Sequence, residues 1–304
     1  MAPDLVVLGN LLVDDLVFAD GRTRMAQPGG AVLYAAVAAR ACGTSVGCVS
    51  LLGDDYPSTT IDRLKRLGVD LAGVQPLGRP GVRTWLLYED QVRRLIHRLG
   101  CPTHEQVSPD AQHVPETWWR ARAFHLSPMA FAPQRALLQA LAERASGFVS
   151  VDPHLPVTED TVDDWRDALA QADAFFVSEH EVRLDEGAAD PRAVLPRLAS
   201  GRLRFVLLKQ GERGGLLYDA HERRSHAWTA PPCATVDPTG AGDAFAMGFV
   251  SAHLEGLPVE ACLQRAAVVA AVAVEGWGAS ALFDLTPSAM EARRRQWIGE
   301  EARS

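Results

Sequence analysis

A glycine-rich segment just before a helical stretch is the part of this sequence best suited to chemistry. It reads Thr-Val-Asp-Pro-Thr-Gly-Ala-Gly-Asp-Ala-Phe over residues 235–245. The proline and the two glycines predict a turn, and the sequence becomes helical from Asp243 onward. The backbone N–H groups of Gly240, Ala241 and Gly242 then lack intrahelical partners. Together with the helix dipole, they are suited to holding a phosphate or a phosphoryl group in transfer.

Asp243 adds a carboxylate at the start of the same helix, where it is expected to stay ionised at neutral pH. Such a carboxylate can accept the proton of a hydroxyl nucleophile while the neighbouring amides stabilise the transferred phosphoryl group. A lone Gly-x-Gly-Asp pattern is also consistent with a simple turn followed by a helix N-cap. The residues therefore predict phosphoryl transfer to an alcohol, with a purely structural turn as the alternative.

The elements that must position this segment follow an α/β pattern. Short β-branched runs alternate with longer segments rich in Ala and Leu, which predicts strands joined by crossover helices in a central, mainly parallel sheet. Strands are predicted at Leu5–Leu8, Val46–Leu51, Ala123–Leu126, Phe148–Val151, Ala174–Val177 and Phe205–Lys209. Helices are predicted at about Ala31–Ala41, Thr59–Arg66, Pro133–Ala145, Ala193–Leu198, Asp243–Leu254 and Val259–Val274.

Two stretches do not follow this alternation. Leu11–Phe18 comes too soon after the first strand for a crossover, and Val82–Leu99 predicts two strands joined by a turn. They can pair as a small separate sheet, a lid that excludes water from the site beneath it. An antiparallel edge of the main sheet fits the pattern equally well. We expect residues 1–304 to form a single domain, with the lid formed by about residues 11–27 and 80–100.

Composition and charge exclude several classes of protein. A chain of 304 residues with 47% hydrophobic content can bury a substantial core. The net charge of -8 argues against a general nucleic-acid binder. The 5 cysteines form no Cys-x-x-Cys pair and indicate neither a disulfide framework nor a zinc site. The longest apolar stretch, Ala266–Val274, is too short to span a bilayer, and a signal-peptide pattern is absent. We therefore expect a cytoplasmic protein without a nucleic-acid or membrane partner.

The nine-residue string Asp-Pro-Thr-Gly-Ala-Gly-Asp-Ala-Phe at 237–245 resembles the C-terminal signature of the ribokinase-like (PfkB) carbohydrate kinase family. Residues 28–31, 42–43 and 52–55 (Pro-Gly-Gly-Ala, Cys-Gly and Leu-Gly-Asp-Asp) look like its N-terminal signature in order and spacing. The resemblance covers nearly the whole chain. It implies a three-layer ribokinase-like fold, with a central mainly parallel sheet flanked by helices and a small β lid, and with ATP and Mg²⁺ as cofactors.

The resemblance also assigns the acceptor side of the site. Asp14, shortly after the first strand, is similar to a carboxylate that bonds sugar hydroxyls in these kinases. An ionised carboxylate can accept hydrogen bonds from two vicinal hydroxyls, and Gly29 and Gly30 let the backbone approach a ligand closely. Tyr34 stands where the family usually has a sugar-binding Asn. Because a phenol is bulkier and offers one hydroxyl in place of an amide, a ribose-like set of contacts is not carried over.

On the donor side, Glu181 matches the glutamate of the family's Asn-x-x-Glu motif, which helps place magnesium-bound water and phosphate. Ser178 stands in place of the Asn, but a hydroxyl can still hold a water, so we expect the dependence on Mg²⁺ to survive. Asp152 resembles a family acid in the same region. Asp237 and the surrounding carbonyls are similar to a monovalent-cation site, which implies K⁺ as a further cofactor.

Lys209, Gly211 and Gly214 are similar to the strand and turn that contact the nucleotide phosphates. A solvated surface lysine is the alternative for Lys209. The resemblance places Gly278 and its neighbouring loop against the nucleotide base, although simple core packing would select the same small residues.

Three functional hypotheses follow from the resemblance. The first is an ATP-dependent kinase that phosphorylates a hydroxyl of a sugar or sugar-like polyol, with Asp243 as general base and Gly240–Gly242 as anion hole. The second is a nucleoside kinase of the same family. The third is a non-catalytic ligand-binding relative that keeps the fold without turnover. In each case the partner is a small molecule. Lid sheets of this family often pair across a two-fold axis, which implies a homodimer.

Overall fold

The chain alternates strands and helices along its length. The computed structural model describes residues 2–89, 92–183 and 194–301. Its strands are β1 Leu5–Leu8, β2 Leu12–Phe18, β3 Thr23–Gly29, β4 Val46–Leu52, β5 Asp70–Pro76, β6 Arg83–Glu89, β7 Val92–His97, β8 Ala123–Leu126, β9 Phe148–Val151, β10 Val157–Thr158, β11 Ala174–Ser178, β12 Val182–Arg183, β13 Phe205–Lys209, β14 Gly215–Asp219 and β15 Arg224–Trp228. Its helices are α1 Ala31–Ala41, α2 Ser58–Arg66, α3 His104–Val107, α4 Phe131–Arg144, α5 Val162–Leu169, α6 Val194–Leu198, α7 Ala241–Leu254, α8 Val259–Val274, α9 Ser280–Asp284 and α10 Pro287–Glu301.

Within the described ranges, a nine-stranded central sheet has the order β15-β14-β13-β11-β9-β8-β1-β4-β5. The strands from β13 to β5 pair in parallel, and β14 and β15 add an antiparallel hairpin at one edge. The prediction of a mainly parallel central sheet is confirmed. Because parallel strands end at the same edge, the residues at the ends of β9, β11 and β13 meet there. These residues include Asp152, Ser178 and Lys209.

Side-chain alternation along the central strands creates a core on each face of the sheet. In β1, Leu5 and Val7 belong to one apolar cluster, whereas Val6 and Leu8 belong to the other. The first cluster includes residues of α1, α7 and α8, and the second includes residues of α4, α5 and α6. Full burial of each such side chain contributes about 1.5–3 kcal/mol. The result is a three-layer α/β fold in which the central strands cannot shift without disturbing both cores.

A second, four-stranded sheet forms from two separate parts of the chain. Its order is β3-β2-β6-β7, with β2 and β6 parallel and the other neighbours antiparallel. We call it the small sheet. It shares no strand with the central sheet among the described residues, so an antiparallel edge of the central sheet does not form here. The strands of the small sheet lie within residues 12–29 and 83–97, which overlap the predicted lid of about 11–27 and 80–100 but run two residues past its first part, and residues 90 and 91 lie outside the described residues.

The structure begins α2 one residue, and α4 and α7 two residues, before their predicted starts. Helix α4 begins at Phe131, because Pro133 lies in the first helical turn, where its missing N–H group costs no hydrogen bond. Helix α7 begins at Ala241 rather than Asp243. The sequence reading missed strands β3, β5, β10 and β12, the β14–β15 hairpin and helices α3, α5, α9 and α10. Residue 193, at the predicted start of α6, lies outside the described residues.

In the part of the chain that the structure describes, every helix is too short or too polar to cross a bilayer.

Candidate active site

The glycine-rich turn ends where helix α7 begins. Gly240 is the N-cap residue of α7 and has φ 81° and ψ 1°, a left-handed conformation that glycine adopts without strain. A Cβ atom at Gly240 would also lie 2.0 Å from Cδ1 of Tyr34, so a larger residue does not fit. Gly240, Ala241, Gly242 and Asp243 all line one cavity of about 280 Å³, which we call the smaller cavity. The structure therefore brings the predicted anion-binding turn and the predicted base together.

The backbone N–H groups at the start of α7 differ in their hydrogen bonding. The Ala241 N–H group donates to the Pro238 carbonyl oxygen at 3.4 Å, which is a long and therefore weak hydrogen bond. The N–H groups in the first turn of an α-helix have no acceptor four residues earlier in the same helix, and Gly242 and Asp243 occupy this turn. An anion in the smaller cavity would therefore meet the positive end of the α7 dipole.

A buried ion pair lies beside this turn. Lys209 Nζ is 2.7 Å from Asp152 Oδ2, and the two side chains are 11% and 4% exposed. Burial raises the pKa of Asp152. Burial opposes the charged form of Lys209, but the carboxylates of Asp152 and Glu181 raise its pKa above the ordinary value. A Cβ atom at Gly242 would lie 3.1 Å from Lys209 Nζ. Lys209 is therefore a buried ammonium group next to the turn and not a solvated surface residue.

Glu181 lies in a short helical turn that follows β11. The Ser178 N–H group donates to Glu181 Oε2 at 2.7 Å, and both residues line the smaller cavity. Glu181 and Asp152 thus place two carboxylates near Lys209. Oxygen donors of this kind are the ligands that Mg²⁺ prefers. Among the described residues, no group of three or more His, Cys, Asp or Glu side chains is arranged to hold a metal by itself.

Asp14 reaches the site from strand β2 of the small sheet. Its side chain is buried and lines the smaller cavity. A Cβ atom at Gly29 would lie 2.0 Å from Asp14 Oδ2, so Gly29 makes room for this carboxylate. Gly30 has φ 93°, and a Cβ atom there would lie 2.3 Å from the Asn10 carbonyl oxygen. The double glycine is therefore required by packing inside the protein, and Gly30 in addition lines the smaller cavity.

A second cavity, of about 500 Å³, adjoins the first, and we call it the larger cavity. Asp14 and Tyr34 line both cavities. Tyr34 is 3% exposed, and its ring lies against Gly240. Burial raises the pKa of Tyr34, and the nearby carboxylates, including Asp14 and Asp237, raise it further, so the phenol stays neutral. Tyr34, the departure from the family pattern, thus forms a wall shared by the two cavities.

Asp237 and Gly278 line the larger cavity. The Asp237 carboxylate accepts hydrogen bonds from the Thr239 N–H group at 3.0 Å and from the Gly278 N–H group at 2.9 Å. Asp237 therefore ties the turn before α7 to the loop before α9. Gly278, expected against the nucleotide base, shares its cavity with Asp14 and not with Lys209. Its contact with a nucleotide and the binding of K⁺ at Asp237 stay predictions.

The remaining two glycines assigned to the nucleotide shape the turn between β13 and β14. Gly211 has φ 61°, and Gly214 has φ 80°. A Cβ atom at Gly214 would lie 2.0 Å from the Trp228 carbonyl oxygen. Neither glycine lines the smaller or the larger cavity. The structure thus gives both a conformational role, and their contact with nucleotide phosphates stays a prediction.

The small sheet contacts the site through a few side chains that the sequence reading did not identify. The Tyr88 and Thr239 hydroxyl oxygens are 2.9 Å apart, which joins β6 to the turn before α7. The Phe18 ring stacks on Tyr88 and meets Trp277 edge-on, with centroids 5.4 and 5.3 Å apart. These partners lie far apart in the sequence, and no local pattern links them.

The three-layer fold, with a glycine-rich turn that begins a helix beside a carboxylate, matches the arrangement that the sequence predicts for a small-molecule kinase. Comparison with known proteins identifies the family. The model of the pfkB family of carbohydrate kinases matches residues 4–284. The chain belongs to this family, and it is a carbohydrate or nucleoside kinase.

Proteins similar to this chain include kinases of nucleosides and kinases of sugars. The chain is 31% identical to a cytidine kinase of Thermococcus kodakarensis over 280 residues, which cover 90% of this chain and 97% of the relative. A nucleoside kinase of Burkholderia thailandensis in complex with inosine has a TM-score of 0.75 at 17% identity, covering 97% of this chain and 99% of the other. An Escherichia coli structure described as a ribokinase II with ATP and Mg²⁺ has a TM-score of 0.74 at 22% identity, covering 97% and 100%.

Proposed function

We propose that the protein is an ATP-dependent kinase that phosphorylates a hydroxyl group of a sugar or sugar-like polyol. One observation carries the proposal: the turn before α7, Asp243 and Lys209 share one cavity with Asp14. An acceptor whose hydroxyls bond Asp14 would lie in the same cavity as the base and the anion-binding turn. The small sheet would act as the lid, because Leu86 and Tyr88 bring β6 over this cavity and against Thr239.

The reaction would be an attack of the acceptor hydroxyl on the γ-phosphorus of ATP. Asp243 accepts the hydroxyl proton as the new oxygen–phosphorus bond forms and the bond between the γ-phosphorus and the bridging oxygen of ADP breaks. The N-terminus of α7 and the Lys209 ammonium group stabilise the charge on the phosphoryl oxygens. Asp152 holds the ammonium group in place through their 2.7 Å contact.

Glu181, through water, would hold Mg²⁺ on the donor side of the cavity. The residue fits, because Mg²⁺ is usually bound by one or two protein carboxylates together with substrate phosphates. When bound, Mg²⁺ would neutralise part of the charge on those phosphates. The Escherichia coli structure of the same fold contains ATP and Mg²⁺, which supports these two cofactors. The proposal also keeps Gly211, Gly214 and Gly278 as nucleotide contacts and Asp237 as a ligand of K⁺.

A nucleoside is the second candidate acceptor. The 31% identity with a cytidine kinase extends over 90% of this chain, which favours it. The larger cavity of about 500 Å³ next to Asp14 could admit a base attached to the sugar, since it falls in the size range of small-molecule sites. The two candidates differ in what occupies that cavity.

An ATP-consumption screen with mass detection of the product tests the proposed function. The panel contains sugars, cyclitols, sugar phosphates and nucleosides, each incubated with ATP and Mg²⁺. We expect one class to gain a phosphoryl group, with ADP formed in equal amount. A sugar or polyol product supports the first candidate, and a nucleoside product supports the second. No ATP consumption with any acceptor would contradict both and favour a non-catalytic relative.

A homodimer in the cytoplasm is the final part of the proposal. Trp85 and Ile96 lie opposite each other in the β6–β7 pair and are 44% and 46% exposed, so they offer an apolar surface for a second copy of the small sheet. Sedimentation velocity measures the mass in solution, and a monomer at micromolar concentration would contradict this part.

A further inference from the structure

Two arginines line the larger cavity, and each is held by an aromatic ring. The Arg24 guanidinium carbon lies 4.3 Å from the centre of the Trp277 ring. The Arg63 guanidinium carbon lies 3.9 Å from the centre of the Phe283 ring. All four residues belong to the lining of the larger cavity. Stacking therefore fixes two positive charges at the larger cavity, where the proposed function places only the nucleotide contact of Gly278 and the K⁺ ligand Asp237.

Stacking leaves the hydrogen-bonding capacity of both arginines available. A guanidinium group carries its five N–H donors in its own plane, so a ring stacked on its face does not occupy them. Across residues 2–89, 92–183 and 194–301, neither Arg24 nor Arg63 forms an ion pair with a carboxylate, whereas the neighbouring Arg22 pairs with Asp20. The aromatic rings thus hold the two guanidinium groups in place, and no carboxylate among the described residues forms an ion pair with either group.

The start of helix α2 adds a third positive feature at the same place. Thr59 and Thr60, in its first turn, and Pro57, its N-cap residue, line the larger cavity. The first turn contains no acidic residue, and no side chain caps it. The Thr60 N–H group donates to the Pro57 carbonyl oxygen at 3.0 Å, so an anion here would meet the helix dipole and the N–H groups that precede Thr60.

The carboxylates that line the larger cavity are tied to the catalytic turn or border the smaller cavity. Asp14 lines both cavities, and Asp237 bonds Thr239 and Gly278. We propose that the acceptor is a phosphorylated sugar or polyol, whose phosphate group lies in the larger cavity against Arg24, Arg63 and the start of α2. This inference rests on the proposed function. Two guanidinium groups and a helix N-terminus provide the donors that a phosphate dianion requires.

Matched acceptor pairs test the inference. The pairs are ribose and ribose 1-phosphate, and fructose and fructose 6-phosphate, each measured as kcat/KM with ATP and Mg²⁺. We expect one phosphorylated member to exceed its neutral partner by at least about tenfold, the scale of one charge-assisted contact. Arg24→Gln and Arg63→Gln should each reduce this ratio by about tenfold, mainly through KM for the phosphorylated member.

Arg22→Gln and Arg66→Gln are the matched controls. They remove the same charge from the same hairpin and from the same helix α2, but neither residue lines the larger cavity. They should leave the ratio unchanged. A ratio near one in the unaltered protein, or a ratio that survives Arg24→Gln/Arg63→Gln, would overturn the inference. So would a strong preference for neutral nucleosides.

Calorimetric titration with ribose 1-phosphate and with fructose 6-phosphate, each in the absence of ATP, separates this inference from the proposed function. We expect binding that the double variant loses and the two control variants keep. If this pattern appears while no acceptor is phosphorylated, the proposed function fails but the phosphate site stands. If neutral acceptors are phosphorylated and neither sugar phosphate binds, the function stands and the phosphate site is wrong.

Discussion

The two sheets of this protein contribute to the candidate site in different ways. Every residue of β1 is buried, and the central strands carry an apolar core on both faces. The small sheet is partly open, with an exposed run in β3 and with Trp85 44% exposed. The ion pair of Lys209 and Asp152 is attached to the central sheet, whereas Asp14 comes from the small sheet.

The difference suggests a division of labour. A sheet that is packed on both faces holds its side chains to a fixed geometry, which phosphoryl transfer requires. The small sheet buries Val13 and Leu86 but exposes Trp85 and much of β3, and a sheet that is covered on one side only can separate from the body and admit a ligand. We therefore expect substitutions at the turn before α7 to reduce turnover and substitutions on the small sheet to alter acceptor binding.

The largest effect is expected for Asp243→Asn, next to the central sheet. An amide cannot accept the hydroxyl proton as a carboxylate does, so kcat should fall by about two to four orders of magnitude. Nucleotide binding, measured by calorimetry, should persist. Asp62→Asn, at an exposed position of α2 that lines neither cavity, makes the same chemical change and should leave kcat unchanged. Near-normal turnover of Asp243→Asn would remove Asp243 from the mechanism.

Asp14→Asn tests the small sheet directly. Replacing this buried carboxylate weakens charge-assisted hydrogen bonds to acceptor hydroxyls, so KM for the acceptor should rise about tenfold to a hundredfold with a smaller change in kcat. Steady-state kinetics with varied acceptor measures both. Asp20→Asn serves as a control, because Asp20 is exposed and lines neither cavity. If kcat falls as much as for Asp243→Asn while KM stays constant, the division of labour is wrong.

Tyr88→Phe removes one contact between the small sheet and the turn before α7. It deletes the 2.9 Å hydrogen bond to Thr239 and leaves the ring stacked near Phe18. Loss of one such bond costs about 0.5–1.5 kcal/mol, so kcat/KM for the acceptor should fall by about two- to tenfold. Tyr218→Phe on β14 is the matched control. Equal kinetics for the two variants would show that this contact does not position the lid.

The smallest effect is a pH dependence of stability at a row of three histidine rings. His97 of the small sheet contacts His104, and His104 stacks on His154 beyond β9, with centroids 4.9 and 4.8 Å apart. Burial and the neighbouring histidines lower the pKa of His104 to about 4. The unfolded chain therefore binds more protons than the folded protein as the pH falls from about 6.5 toward 4. The stabilising effect of neutral His104 is complete above pH 6.5 and is lost progressively below it.

Thermal unfolding between pH 7.5 and 4 measures this loss. The melting temperature should fall less steeply in His104→Gln than in the unaltered protein, by a few degrees at the lower pH. His221→Gln changes an exposed histidine in a turn and should keep the original slope. Identical slopes for all three proteins would contradict the assignment to His104.

Six of the nine strands of the central sheet were predictable because their signals are local, whereas β5, β14 and β15 were missed. The six predicted strands are all present, each ending within one residue of its prediction. The turn before α7 was equally recognisable, since proline, glycine and the following helical residues are adjacent in the chain. The burial of Lys209 was not predictable, because it depends on Asp152, a partner 57 positions away. The separation of the small sheet was not predictable either, since alternation of side chains is the same in an edge strand and in an isolated sheet.

The amino-acid sequence by itself determined the α/β class, the family signatures and the residue types at the turn, because these depend on spacing between near neighbours. The tertiary structure decided which distant residues meet. It placed Lys209 beside Gly242, set Tyr34 against Gly240, and brought Arg24 and Arg63 to one cavity. Such contacts depend on how separate layers pack, and packing is a property of the whole chain that no local pattern encodes.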